Sequence, residues 1–152
     1  MSPSKVRAAT VVQKLALLDA MIAGIKTLPL SNPQAFAADP RDVAAAESYV
    51  RRALEALLDL GRHILGKGLG QGALEYKQVA VALRREGLLD EHAGAALVEM
   101  AGYRNRLVHL YDEVGAAELY EICTHRVDDI REIQDQLLAW LRTNPQRVDG
   151  EL

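Results

Sequence analysis

The stretch Asp39-Pro40-Arg41-Asp42-Val43-Ala44-Ala45-Ala46-Glu47-Ser48-Tyr49-Val50-Arg51-Arg52-Ala53-Leu54-Glu55-Ala56-Leu57-Leu58-Asp59-Leu60-Gly61-Arg62-His63-Ile64-Leu65 reads as one long helix. Asp39 is an N-cap residue, and Pro40 occupies the first helical position, where its missing N–H costs nothing. Val43, Ala46, Val50, Ala53, Leu54, Leu57, Leu60 and Ile64 then recur close to every 3.6 residues and give a single apolar stripe. A helix of this length with one such stripe needs partners, so the fold is a helical bundle.

The flanking segments supply those partners. Punctuation marks a first helix from about Lys5 to Leu28, capped by Ser2 or Ser4 and stopped by Pro29. A polar loop with a lone Phe36 follows, then the long helix. A short helix is expected from about Leu74 to Glu86, ended by Gly87. Another should run from about Glu91, capped by Asp90, to Tyr111, and a last one from about Ala116 to Leu141 before Asn144-Pro145. Four long helices and one short one, mostly joined by short connections, give an all-α antiparallel four-helix bundle. At 152 residues this is a single domain over residues 1–145, with 146–152 expected as a flexible tail. The alanine-rich segments near Ala44 and Ala95 suggest close helix approach.

Composition narrows the function. A net charge of −3 excludes a globally basic nucleic-acid binder, so any such contact needs a local patch. Arg51-Arg52, Arg62 and Arg84-Arg85 are candidates, although helix surfaces carry such residues for solubility as well. The single Cys123 makes neither an internal disulfide nor a thiolate cage and reads as a small core residue. No run approaches about 18 uninterrupted apolar residues, so a cytoplasmic protein without a membrane span is expected. Gly66-Lys67-Gly68-Leu69-Gly70-Gln71-Gly72 is not a phosphate loop: it follows a helix rather than a strand and lacks the Gly-Lys-Ser/Thr ending. Glu121 and His125 stand at i, i+4, but the Glu-x-x-His pairs of di-iron bundles are missing, and no metal is expected.

The chemistry concentrates in Arg104-Asn105-Arg106-Leu107-Val108-His109-Leu110-Tyr111. An arginine forks onto phosphate, and a histidine moves protons near neutral pH. At about 100° per residue, Arg104, Val108 and Tyr111 share one line, Asn105, His109 and Asp112 a neighbouring stripe, and Tyr103, Leu107 and Leu110 face the core. Arg104 and His109 are then about 140° apart on an ideal helix. They serve one phosphate if the helix ends or distorts near His109, or if two copies of the motif meet across a dimer. On the long helix Glu55, Asp59 and His63 recur at i, i+4 and i+8 beside Arg62. They are either a second rank that orients Arg104 or His109, or ordinary carboxylate–histidine support of the helix.

The order Arg-x4-His-x-Tyr, with Gly102-Tyr103 before it and Asp112-Glu113 after it, resembles the signature of HEPN-domain ribonucleases, and among them the HepT-like toxins. The segment Leu57-Leu58-Asp59-Leu60-Gly61-Arg62-His63-Ile64 resembles the corresponding helix of those proteins. The resemblance implies a HEPN-like bundle and a homodimer with a composite cleft. It further implies a metal-independent endoribonuclease, the toxin of a type VII toxin–antitoxin pair. Arg104 and His109 would be catalytic, Asn105 supporting, with Asp59 and His63 as further support. Tyr111 would be the residue to which a MntA-like nucleotidyltransferase antitoxin attaches AMP. ATP would serve only as AMP donor, with no cofactor in the toxin itself. Other readings are a catalytically silent HEPN module that binds a nucleotide or protein in the same cleft, and a structural dimerisation domain.

Overall fold

The computed structural model describes residues 4–109 and 114–152. These form helices α1 (Ala8–Lys26), α2 (Pro33–Ala37), α3 (Pro40–His63), α4 (Tyr76–Arg85), α5 (Glu91–Val108), α6 (Ala116–His125) and α7 (Val127–Thr143). Among the described residues there is no strand; an isolated bridge joins Val6 and Val148. Helix α3 is the central element and packs on α1, α2, α4, α5, α6 and α7. Its predicted stripe is the core: Ala46, Val50, Ala53, Leu54, Leu57, Leu60 and the following Ile64 are buried, and only Val43 is partly exposed. The Asp39 side chain accepts the Arg41 N–H as its cap, with Pro40 at the first helical position.

Helix α1 lies along α3, burying Val11, Leu18, Met21, Ile22 and Ile25. It is long and apolar enough to cross a membrane by length and composition, yet Gln13, Lys14 and Asp19 interrupt it and its buried face serves the bundle core. The two helices come close at Gly24, where a Cβ would stand 2.5 Å from Cε1 of Tyr49. Helices α4 and α5 show the same economy at Gly94, where a Cβ would meet the Arg84 side chain at 2.7 Å. Gly87 ends the α4 turn at φ +80°, a conformation that costs glycine little; the amides of Leu88 and Leu89 then return to the Leu83 carbonyl.

Several boundaries differ from the sequence expectation. The loop before Asp39 holds the short helix α2, capped by Asn32, whose side chain accepts the Ala35 N–H; it buries Phe36 against Tyr120. The expected last helix is two helices. The chain bends at Arg126 (φ −108°, ψ −8°), where the Thr124 hydroxyl donates back to the Tyr120 carbonyl and Asp128 and Asp129 open α7. Helix α3 passes into a π turn over Ile64–Gly68, and Gln71 N–H closes it on the Leu65 carbonyl. Residues 146–152, expected as a flexible tail, are docked. Val148 is buried, Val6 N–H donates to the Arg147 carbonyl at 2.8 Å, Asp149 N–H donates to the Val6 carbonyl at 3.0 Å, and the Asp149 carboxylate accepts the Ala8 N–H. An apolar Val148 facing an apolar Val6 is the physical reason, since each covers the other from water.

Candidate active site

Helix α5 carries the motif to its own end. Asp90 caps its start by accepting the Ala93 N–H, and Val108 is its last residue. His109 is already extended (φ −94°, ψ 122°), so the helix stops short of the expected Tyr111 and the ideal angular count does not carry through to the histidine. Tyr111 lies outside the described residues.

Arg104 projects from α5 into a polar network between α3 and α4. Its Nη2 donates to Oε2 of Glu55 at 3.0 Å, with both side chains about three-quarters buried. Nη1 donates to Oδ1 of Asn105 at 3.4 Å, and the guanidinium lies over the Tyr76 ring, 4.7 Å from its centroid. The Nε atom is buried and has no hydrogen-bond partner among the described residues. Glu55 is held from its other side by Arg51 Nη1 at 2.6 Å. Of the second rank, Glu55 and Asp59 therefore do reach the arginine cluster. Asp59 accepts the Tyr76 hydroxyl and Arg62 Nη2, each at 2.7 Å, and Lys14 approaches it at 3.7 Å. His63 turns elsewhere: its Nε2 accepts the Arg7 N–H at 3.0 Å. Burial, helped by the nearby Lys67 and Arg7, lowers its pKa and keeps the ring neutral enough to accept that bond.

Tyr76 is the member of this cluster that sequence reasoning missed. It stands at the first position of α4, where Glu75 and Gln78 form a capping box. Arg62 also lies over its ring, at 4.8 Å. Burial and the hydrogen bond to Asp59 push its pKa up to about 12, so it remains a neutral donor. Pairing of a ring with two arginines is worth more when partly desolvated, as here. Nothing local pointed to its partners, which lie 14 to 28 residues away in the chain.

His109 faces another way. A hollow of about 320 Å3 is lined by Arg62, Glu75, Tyr76, Lys77, Arg104 and Asn105. His109 lines a different one, of about 400 Å3, with Val43, Glu47, Arg106 and Leu107. Beside it, Arg106 forms a two-armed bond to Glu118 at 2.7 and 2.9 Å, which ties the end of α5 to α6. Arg104 is thus a guanidinium held in place by Glu55, and His109 follows the last residue of α5. The candidate Cys123 is buried as expected, and burial pushes its thiol up to about 11, far from a reactive thiolate. His92, Asp129 and Glu132 come within 4.8 Å of one another on the surface, but Asp129 is engaged by Arg126.

The described residues thus form an all-α bundle with an arginine network reaching in from α5 and a histidine at the end of that helix. Residues 18–137 match the model of the ribonuclease HepT-like family, and the chain belongs to that family. Solved structures agree on the fold. A tri-AMPylated HEPN toxin of Shewanella oneidensis in complex with an MNT antitoxin superposes with a TM-score of 0.78 at 22% identity, covering 86% of this chain and 97% of that one. A toxin–antitoxin complex with AMP-PNP gives 0.77 at 20% identity, covering 86% and 98%. The Bacillus subtilis cytosolic protein YutE, of unknown function, gives 0.75 at 18% identity, covering 90% and 91%. A comparison with curated proteins finds no match.

Proposed function

We propose that this protein is a metal-independent endoribonuclease, the toxin of a toxin–antitoxin pair, acting in the cytoplasm on RNA. The observation that carries the reading is the Arg104-x4-His109-x-Tyr111 motif on a chain of the HepT-like ribonuclease family. RNA brings its own nucleophile. A base takes the 2′-hydroxyl proton, the oxygen attacks the adjacent phosphorus, the 5′-oxygen leaves with a proton from an acid, and positive charge stabilises the crowded phosphorane. His109 carries the proton, Arg104 holds the phosphate charge, and Asn105 bonds a phosphate oxygen or steadies Arg104. The products carry 2′,3′-cyclic phosphate ends, and DNA, lacking the 2′-hydroxyl, is not cut.

A homodimer completes the site in this reading; that Arg104 and His109 line different hollows of one chain supports it. There the histidine of one protomer meets the arginine of the other, and the two His109 side chains serve as base and acid. Tyr111 is the control point. A MntA-like nucleotidyltransferase antitoxin transfers AMP from ATP to its hydroxyl, placing bulk and negative charge beside a site built for an RNA phosphate. In support, the Shewanella oneidensis relative is a tri-AMPylated toxin held by its antitoxin.

The test is cleavage of mixed cellular RNA by pure protein freed of antitoxin and of metal ions. Wild type should cut, and Arg104→Ala and His109→Ala should each lose activity by at least about a hundredfold, the scale of a lost general acid–base or charge-stabilising group. Circular dichroism should show helix content unchanged. Undiminished cleavage by either variant overturns the assignment, and a wild-type protein that binds RNA without cutting it is a silent module instead.

A further inference from the structure

The hollow that Arg104 shares with Arg62, Tyr76 and Lys77 is not lined by His109 and has no part in the proton transfers. Its construction is unusual for a solvated surface. The Arg62 and Arg104 guanidinium carbons both lie over one aromatic ring, at 4.8 and 4.7 Å from its centroid. Each arginine is also tied from behind by a carboxylate, Arg62 by Asp59 at 2.7 Å and Arg104 by Glu55 at 3.0 Å. Asp59 and Glu55 in turn are shared with Lys14 and Arg51. Four cations thus surround two carboxylates, leaving a local positive surplus in a chain whose net charge is −3. Lys77 and Glu75 also line the hollow and balance one another in charge. The Tyr76 hydroxyl donates to the same Asp59 oxygen that accepts Arg62, so ring, carboxylate and arginine form one rigid unit. Guanidinium forks held in place in this way lose little freedom on meeting a phosphate.

We propose that this hollow is a second RNA-phosphate subsite, in which Arg62 and Lys77 bind a phosphodiester beyond the one held by Arg104. Tyr76 is the positioning residue that fixes both arginines. The proposal rests on the ribonuclease reading above and adds to it the direction in which the RNA strand leaves the cleavage point: from Arg104 across the start of α4. Phosphate binding, rather than base reading, follows from the chemistry. Three of the six residues that line the hollow, Arg62, Lys77 and Arg104, are cations against one carboxylate, Glu75, and both arginines already stack on Tyr76.

The experiment measures binding of a fluorescent 2′-O-methyl RNA, which lacks the attacking hydroxyl and so cannot be cut, as a function of salt. Each phosphate contact contributes about 0.7 to the slope of log K against log salt for a single strand, about a 2.6-fold change in affinity between roughly 50 and 200 mM. Arg62→Gln and Lys77→Gln should each lower the slope by about that amount, and Arg62→Lys, which keeps the charge, should restore it. Tyr76→Leu should weaken binding severalfold with the slope nearly kept, and Tyr76→Phe, which keeps the ring, should recover most of the loss. Cleavage of unmodified RNA is followed in parallel. An unchanged slope for Arg62→Gln, unchanged binding for Tyr76→Leu, or no binding by wild type overturns the subsite. A reduced slope in a protein that fails to cleave keeps the subsite and overturns the ribonuclease reading; cleavage with an unchanged slope does the reverse.

Discussion

Glu55→Gln is the most informative single change, because it removes one charge and almost no volume from the point where two arginines meet. In the native protein Glu55 accepts Arg51 at 2.6 Å and Arg104 at 3.0 Å with its side chain 24% exposed. A glutamine presents one carbonyl oxygen and one amide that donates, so it serves one arginine and turns a donor towards the other. Loss of a charge-assisted hydrogen bond costs about 1.5–3 kcal/mol, and the remaining solvent contact places this case near the lower half, about 2 kcal/mol. For a chain of this size each kcal/mol moves Tm by about 2–4 °C, so thermal melting followed by circular dichroism should show a fall of about 4–8 °C. Arg104, released from its carboxylate, shifts within the site, and a displacement of about 1 Å at a phosphate clamp costs on the order of a hundredfold in rate. Cleavage should therefore fall by about 10- to 100-fold in kcat. Measured with Arg104→Gln in a double-mutant cycle, the two changes should be strongly non-additive in both Tm and rate. A Glu55→Gln protein with Tm within about 1 °C of wild type and undiminished cleavage would refute the idea that this carboxylate holds the arginine in place.

Three further outcomes are expected. Light scattering at micromolar concentration should give a dimer, and a fully active monomer would refute the composite site. Incubation with the cognate antitoxin and ATP should add AMP-sized increments in intact mass spectrometry; these should vanish in Tyr111→Phe, and their persistence would place the switch on another residue. His63 sets a pH dependence of stability. Its folded pKa lies below the usual value of 6.5, so the unfolded chain binds the proton more readily. Its contribution is full above about pH 6.5 and is lost as pH falls from there towards the folded pKa. His63→Gln, whose side-chain carbonyl still accepts the Arg7 N–H, should flatten that acidic slope in melting curves, and an unchanged slope would assign it to other groups.

The sequence carried the architecture where the signal was local. The Asp39-Pro40 cap and the 3.6-residue stripe placed α3, Gly87 placed the end of α4 to within one residue, and Asp90 placed the start of α5. What it missed was set at long range or by weak local chemistry. The bend at Arg126 has no glycine or proline to announce it, and helix α2 depends on Phe36 finding Tyr120. At the site, the motif was visible as a spacing, and the helical period aligned Asp59 with Glu55, although Asp59 meets Arg62 and Tyr76 rather than Arg104 or His109. The same period also aligned His63, which instead meets the Arg7 backbone because the chain before α1 runs past that end of α3. Tyr76 could not be read at all: its meaning comes from Asp59, Arg62 and Arg104 on two other helices.

The pairing of Val6 with Val148 joins residues 142 apart in a chain of 152. Closing so long a loop in an unfolded chain costs on the order of 4 kcal/mol of entropy, a cost that largely disappears once the helices have brought the ends together. This seam is therefore expected to close late in folding. By the same reasoning it opens first: amides of Val6 and Asp149 should exchange with deuterium far sooner than those of α3, through openings that leave the bundle intact. The two ends act as a clasp on a finished structure, reporting that the bundle is assembled without being what assembles it.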